Sequence, residues 1–168
     1  MAIWQILHRW HAALARALDF LRSPLLLATR VWVGWQFLKS GWLKLQDWET
    51  TRFLFEEEYR VPLLSPAVAA VLGTAGELVF PLALAIGLLG RYSALGLWCV
   101  NALAVVAYAH VLFAEGFEAA IAQHYLWGVV LLVLIVFGPG RISVDRWLAR
   151  RDEAEVPRVP EGWADAAH

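Results

Sequence analysis

The chain has little cysteine, methionine and charge for its 168 residues. Its single cysteine, Cys99, cannot form an intramolecular disulfide, a redox pair of cysteines, or a zinc or iron–sulfur site built on cysteines. Its single methionine, Met1, excludes a copper(I) site lined by methionines. Charged residues make up only 17% of the chain, and the net charge is −1. A nucleic-acid partner therefore has no electrostatic support.

Apolar residues, by contrast, are in large excess. They form 60% of the chain, and the mean hydropathy is +0.56, whereas soluble domains average about 45–50% apolar. A chain of this length cannot bury so much apolar surface in one core. The excess must face something other than water, which argues against a soluble globular enzyme and excludes a disordered protein.

Four apolar stretches are long enough for membrane helices, which need about 20 residues. They cover residues 24–42, 65–89, 92–113 and 121–137. Gly90 and Arg91 predict a tight hairpin between the second and third stretches, and Gly138-Pro139-Gly140 ends the fourth. The sequence therefore predicts an all-α integral membrane four-helix bundle within residues 23–147.

The flanking segments are amphipathic or polar. Residues 1–22 carry apolar side chains at spacings of three and four with arginines opposite, which predicts an in-plane amphipathic helix or one packed on the bundle. Within residues 43–64 we expect a short interfacial or re-entrant helix that ends before Pro62 and caps the external face of the bundle. The alternative is a solvated loop. Residues 148–168 predict a disordered tail.

Positive charges are unequally divided between the two sides of this topology. Three lie on one side: Lys44, Arg52 and Arg60. Nine lie on the other: Arg9, Arg16, Arg22, Arg91, Arg141, Arg146, Arg150, Arg151 and Arg158. The positive-inside rule therefore predicts that both termini are cytoplasmic.

Three polar residues fall inside the predicted spans. Ionisable groups at this depth cost about 2.5–3.5 kcal/mol on insertion scales and usually face a partner. Arg30, Glu77 and Asn101 lie about 9, 18 and 13.5 Å along their helices at 1.5 Å per residue, so they are predicted to meet at one level. Such a site could handle protons or anchor a ligand, or Arg30 and Glu77 could only clamp the helix register.

A second polar cluster is predicted at the external membrane surface, on the side away from the two termini. It consists of Lys39, Tyr108, His110 and His124, where the third span ends and the fourth begins. Two histidines at one level could bind haem or a metal, or they could be wetted by the head groups. Nothing else in the sequence supports a metal, so haem and metal are not favoured and no metal ligand is assigned.

The pattern resembles the DoxX family of small bacterial membrane proteins. The resemblance covers residues 25–147 and rests on these pieces: Arg30, residues 34–37, residues 41–44, Val61-Pro62, Glu77-Leu78, residues 88–91, and the terminal Gly138-Pro139-Gly140 with Ser143 and Asp145. It implies a four-helix fold in the bacterial inner membrane, with Arg30, Glu77 and Asp145 as family-like polar sites. Gln123-His124 stands where members often have an acidic residue.

The resemblance also implies a range of functions. Relatives include the small membrane subunit of a thiosulfate:quinone oxidoreductase, and others accompany metal-stress or modified-peptide gene clusters. The leading hypothesis is a small membrane subunit of a quinone-linked redox or stress-response system, with a protein partner or a homo-oligomer and no catalytic residue assigned. The alternatives are a non-catalytic anchor or assembly factor for a partner, and an oligomeric carrier of a small solute or metal.

Overall fold

The computed structural model describes residues 2–155, which are helical and contain no strand. Seven helices follow one another in this range: α1 (Ala2–Gln46), α2 (Trp48–Glu57), α3 (Pro66–Ile86), α4 (Gly90–Ala107), α5 (Ala109–Leu112), α6 (Glu118–Phe137) and α7 (Val144–Glu155). The all-α prediction is confirmed for these residues.

Helix α1 is longer than the sequence predicts, because it continues through Pro24 without a break. The predicted segments 1–22 and 24–42 are thus parts of one helix. Proline lacks an N–H and leaves one backbone carbonyl of the preceding turn without its helical donor, yet the leucines and alanines on both sides favour helix. The 45 residues of α1 are about 68 Å long at 1.5 Å per residue, more than twice the about 30 Å thickness of a hydrocarbon core.

Three helices of the described chain are long and apolar enough to cross a membrane: α3, α4 and α6. Their outward faces keep apolar side chains exposed, such as Val79 (60%), Val106 (56%) and Val136 (62%). Apolar faces of this extent are incompatible with water and fit lipid. Helix α4 ends at Ala107, short of the predicted residue 113, because the Ala107 carbonyl accepts the Arg60 N–H at 2.9 Å.

The long helices pack in succession, α1 on α3, α3 on α4 and α4 on α6, with further contacts between α6 and α1. All four contribute to a buried apolar core of Val33, Phe37, Leu84, Ala94, Leu97, Leu131 and Leu134. Glycines allow α1 and α3 to approach closely. A Cβ added at Gly41 would lie 2.9 Å from the Glu77 Cβ.

Helix α2 covers one end of these helices, which we call the α2 end. The Asp47 carboxylate starts α2 by accepting the Thr50 N–H at 2.9 Å, and this bond holds the pKa of Asp47 below its ordinary value. Phe55 of α2 is buried against Ala69 and Ala70 of α3. The predicted short helix that ends before Pro62 is confirmed.

At the opposite end, the α7 end, helix α7 docks on the α3–α4 turn. Both Asp145 carboxylate oxygens accept backbone N–H groups, from Leu89 at 2.7 Å and from Gly90 at 2.8 Å. These contacts order the start of α7, which runs to Glu155. The predicted disorder of residues 148–168 is therefore wrong for residues 148–155, and residues 156–168 lie outside the described range.

Candidate functional site

The predicted meeting of Arg30, Glu77 and Asn101 is wrong. Each of the three buried side chains has a different partner: Arg30 donates to Ile142, whereas Lys44 and His124, the partners of Glu77 and Asn101, both line one cavity at the other end. Arg30 faces the α7 end, whereas Glu77 and Asn101 face the α2 end. Arg30 reaches α3 at Leu84, which is seven residues or about 10 Å beyond Glu77 along that helix, and Glu77 instead lies beside Gly41 of α1.

Glu77 forms an ion pair with Lys44 of α1. The Lys44 ammonium donates to both carboxylate oxygens, at 2.6 and 2.5 Å, and to the Ser40 hydroxyl at 3.2 Å. The two charged side chains are only 18% and 10% exposed. Glycine at position 41 brings the α1 backbone against Glu77, and Lys44 lies three residues further along the same face of α1. Lys44 was missed as a site residue because the sequence placed it in a loop.

Asn101 pairs with His124 instead of with a charged group. Its side-chain amide donates to the His124 backbone carbonyl at 3.0 Å, and its carbonyl oxygen lies 2.9 Å from His124 Nδ1. The two contacts tie α4 to α6. The His124 ring also packs edge-on against Trp127, with 5.1 Å between ring centroids.

A cavity of about 330 Å³ lies at the α2 end beside the ion pair. Ligand pockets commonly measure about 300–1,000 Å³. The polar residues in its wall are Ser40, Lys44, Tyr59, Glu77, Tyr108 and His124. Apolar side chains from α2, α3, α4 and α5 complete the wall, among them Phe55, Leu72 and Leu103. The arrangement is a largely apolar chamber with an acid and a base at one side.

A row of aromatic rings lies along the wall of this cavity. Tyr59 packs edge-on against Phe55, with 4.9 Å between centroids, and against Tyr108, at 5.2 Å. Burial raises the pKa of the Tyr59 hydroxyl, and the nearby Tyr108, Glu77 and Glu58 add to the rise. Tyr59 therefore stays a neutral hydrogen-bond donor at physiological pH.

The predicted second cluster is only partly assembled. Tyr108 and His124 line the cavity together, and the His110 ring packs on Tyr108 at 5.5 Å but is exposed. Lys39 is exposed and donates to Gln36 at 3.0 Å, so it is not part of the cluster. Residues 2–155 contain no group of three His, Cys, Asp or Glu side chains arranged to hold a metal.

Arg30 and the terminal motif meet at the α7 end. The fully buried guanidinium donates to the Ile142 carbonyl at 2.5 Å and reaches the Leu84 carbonyl at 3.5 Å. The motif turns sharply there, with φ of +76° at Gly138 and +81° at Gly140, and the Ser143 hydroxyl closes the turn by donating to the Gly140 carbonyl at 2.9 Å. Because the described contacts of Arg30 are backbone carbonyls, its observed role is to join α1, α3 and the α6–α7 connection.

Comparison with known proteins agrees with the resemblance in the sequence. The DoxX family model matches residues 25–111, which is more than half of the chain and includes Lys44, Glu77 and Asn101. The chain belongs to the DoxX family. An uncharacterized protein of Haemophilus influenzae is 32% identical over 127 residues, which cover 71% of this chain and 80% of the relative. No solved structure matches the chain. The apolar helices make this DoxX chain a membrane protein. The family match ends at residue 111, so it includes neither His124 nor the terminal motif.

Proposed function

We propose that this DoxX protein is the small membrane subunit of a quinone-linked redox system, and that the cavity at the α2 end holds the quinone ring. The observation that carries this proposal is the Lys44–Glu77 ion pair in the wall of an otherwise largely apolar cavity. Buried ion pairs are seldom an efficient way to stabilise a fold. An acidic and a basic side chain beside a ligand-sized cavity are better explained by a role in binding a ligand or in transferring protons to it.

The chemistry of a quinone fits the wall of this cavity. A quinone ring is flat and apolar and carries carbonyl oxygens that accept hydrogen bonds. The neutral Tyr59 hydroxyl supplies one donor, the Lys44 ammonium would supply a second by exchanging its bond to Ser40 for one to the ring, and the apolar side chains cover the ring. Quinone reduction takes up protons together with electrons. Lys44 and Glu77 would hold and pass those protons, and a partner protein would supply the electrons.

The proposal places the protein in a bacterial inner membrane with four spans. Helices α3, α4 and α6 cross with residues 24–42 of α1, whose Arg30 is buried and hydrogen-bonded rather than exposed to lipid. The excess of arginine near the α7 end supports cytoplasmic termini, and the cavity at the α2 end then opens toward the periplasmic side.

The topology is tested with Arg150→Cys and Glu57→Cys, each made separately in a Cys99→Ser background. An impermeant thiol reagent added to whole cells should label only position 57. Labelling of position 150 alone would show that the termini are periplasmic and would contradict the proposed topology.

Quinone binding is tested with the purified protein in detergent. A short-chain ubiquinone is titrated while quenching of tryptophan fluorescence is followed, since the chain has ten tryptophans. Glu77→Gln should weaken binding about tenfold to a hundredfold, because it removes the charged hydrogen bonds, worth about 1.5–3 kcal/mol, that hold the Lys44 ammonium in position to donate to the quinone. Glu56→Gln is the matched control, because Glu56 forms an exposed ion pair with Arg52 on α2, outside the cavity wall.

Two results would contradict the proposal. One is a wild-type protein that does not bind the quinone. The other is a Glu77→Gln variant that is folded by circular dichroism at the assay temperature and binds the quinone with the affinity of the Glu56→Gln control. Either result would favour the anchor hypothesis, in which the chain only recruits a partner.

A further inference from the structure

A second cavity, of about 730 Å³, lies at the α7 end and is distinct from the quinone cavity. It is bounded by α1 near residues 19–26, by the end of α6 and the connection that follows it, and by α7. Four arginines line it: Arg22, Arg91, Arg141 and Arg146.

The cavity carries an excess of positive charge. Its two acidic residues are Asp19 and Asp145, and both Asp145 oxygens already accept backbone N–H groups. Neither Arg22 nor Arg141 has a carboxylate partner within residues 2–155. Arginine is suited to phosphate because its planar fork offers several N–H donors to the oxygens.

The same cavity has an apolar side. Leu26 of α1 and Phe137 of α6 line it, and the Arg22 guanidinium lies 5.9 Å from the centre of the Phe137 ring. Phe137 is 56% exposed at the last turn of an apolar, outward-facing helix. The arginines therefore lie at the level where a membrane helix ends, with apolar surface directly beside them.

From this geometry we propose that the cavity at the α7 end binds an anionic phospholipid. Its phosphodiester lies on Arg22 and Arg141, and the upper part of an acyl chain lies against Leu26 and Phe137. The excess of positive charge selects an anionic lipid over a zwitterionic one, because basic clusters at a membrane surface attract anionic head groups. A free phosphate would use the arginines alone and leave the apolar side of the cavity uncovered.

The test is native mass spectrometry of the full chain, supplied in detergent with equal amounts of phosphatidylglycerol and phosphatidylcholine. The wild type is expected to retain phosphatidylglycerol preferentially. Arg22→Gln/Arg141→Gln should lower that retention by about fivefold for each arginine removed. Arg9→Gln/Arg150→Gln removes the same charge outside this cavity and is expected to behave like the wild type.

Two further variants and a competition with inorganic phosphate distinguish lipid binding from misfolding and from binding of free phosphate. Arg22→Lys/Arg141→Lys should restore part of the retention because it keeps the charge. The single Arg141→Gln, at an exposed position, guards against a double variant that fails to fold. Equal retention of both lipids by the wild type, or equal losses in the cavity and control variants, would overturn the proposal. Displacement of the lipid by millimolar inorganic phosphate, with phosphate retained in its place, would assign the site to free phosphate and overturn the lipid assignment.

Discussion

Removing one side of the Lys44–Glu77 pair should destabilise the protein far more than removing both. Lys44→Met leaves the Glu77 carboxylate in the cavity wall without its counter-ion, and Glu77→Met leaves the ammonium in the same position. Breaking a buried pair costs about 3–5 kcal/mol. Because the side chains keep 18% and 10% exposure, we expect the lower end, about 3 kcal/mol. The double variant replaces both charges by apolar side chains of similar volume and should recover most of that loss.

These energies convert to measurable shifts in thermal unfolding. A chain of this size loses about 2–4 °C in Tm per kcal/mol, so each single variant should melt about 6–12 °C below the wild type. The assay is differential scanning fluorimetry on tryptophan emission in one detergent. Arg52→Met, which breaks the exposed pair with Glu56, should change stability by less than about 1 kcal/mol. The reasoning is refuted if the single variants melt like this control, or if the two losses simply add in the double variant.

Three further predictions concern other parts of the molecule. Gly41→Ala should be about 1–3 kcal/mol less stable than Gly34→Ala in thermal melts, because both gain helix propensity but the new Cβ at position 41 lies 2.9 Å from the Glu77 Cβ, whereas the nearest atom at position 34, the Pro81 carbonyl oxygen, is 3.3 Å away; equal melting would contradict the close approach. Arg30→Met should lower the unfolding free energy in denaturant titrations by about 1–3 kcal/mol, because the Ile142 carbonyl loses its donor whereas the Leu84 carbonyl keeps the Gly87 N–H at 3.1 Å, and an unchanged midpoint would refute this. Because the pKa of Tyr59 is raised in the folded state, the stability it contributes is full below about pH 10 and is lost as the pH rises through the folded value; Tyr59→Phe should flatten that fall in pH-dependent melts, and the same slope in both proteins would contradict it.

The helices were predictable because lipid leaves the backbone few choices. A span must satisfy its N–H and C=O groups internally, so long apolar stretches give α3 and α6 to within a few residues. The proline rule also predicted that a short helix, α2, ends before Pro62, whereas its start at the Asp47 cap was not predicted. The continuation of α1 through Pro24 was not predictable from these rules, because the flanking helix formers outweigh a local breaker.

The partners of the polar residues were beyond sequence reasoning. Ile142, which accepts from Arg30, lies 112 positions away in the connection after α6, and no local pattern indicates such a contact. Lys44 was assigned to a loop because hydropathy falls after residue 42, whereas helix geometry carries α1 on to Gln46. The cavity is assembled from six helices and the connection after α2. It depends on their packing rather than on any motif.

The position of the quinone can be measured directly by photoaffinity labelling. Membranes that contain the wild-type protein are irradiated with an azido-quinone, and the labelled residues are identified by peptide mass spectrometry. The account predicts labels concentrated on Tyr59, Tyr108 and their neighbours in the cavity at the α2 end, displaced by excess unlabelled quinone and lost in Glu77→Gln. Labels spread over the lipid-facing surfaces of α3, α4 and α6, unaffected by competitor or by Glu77→Gln, would contradict it.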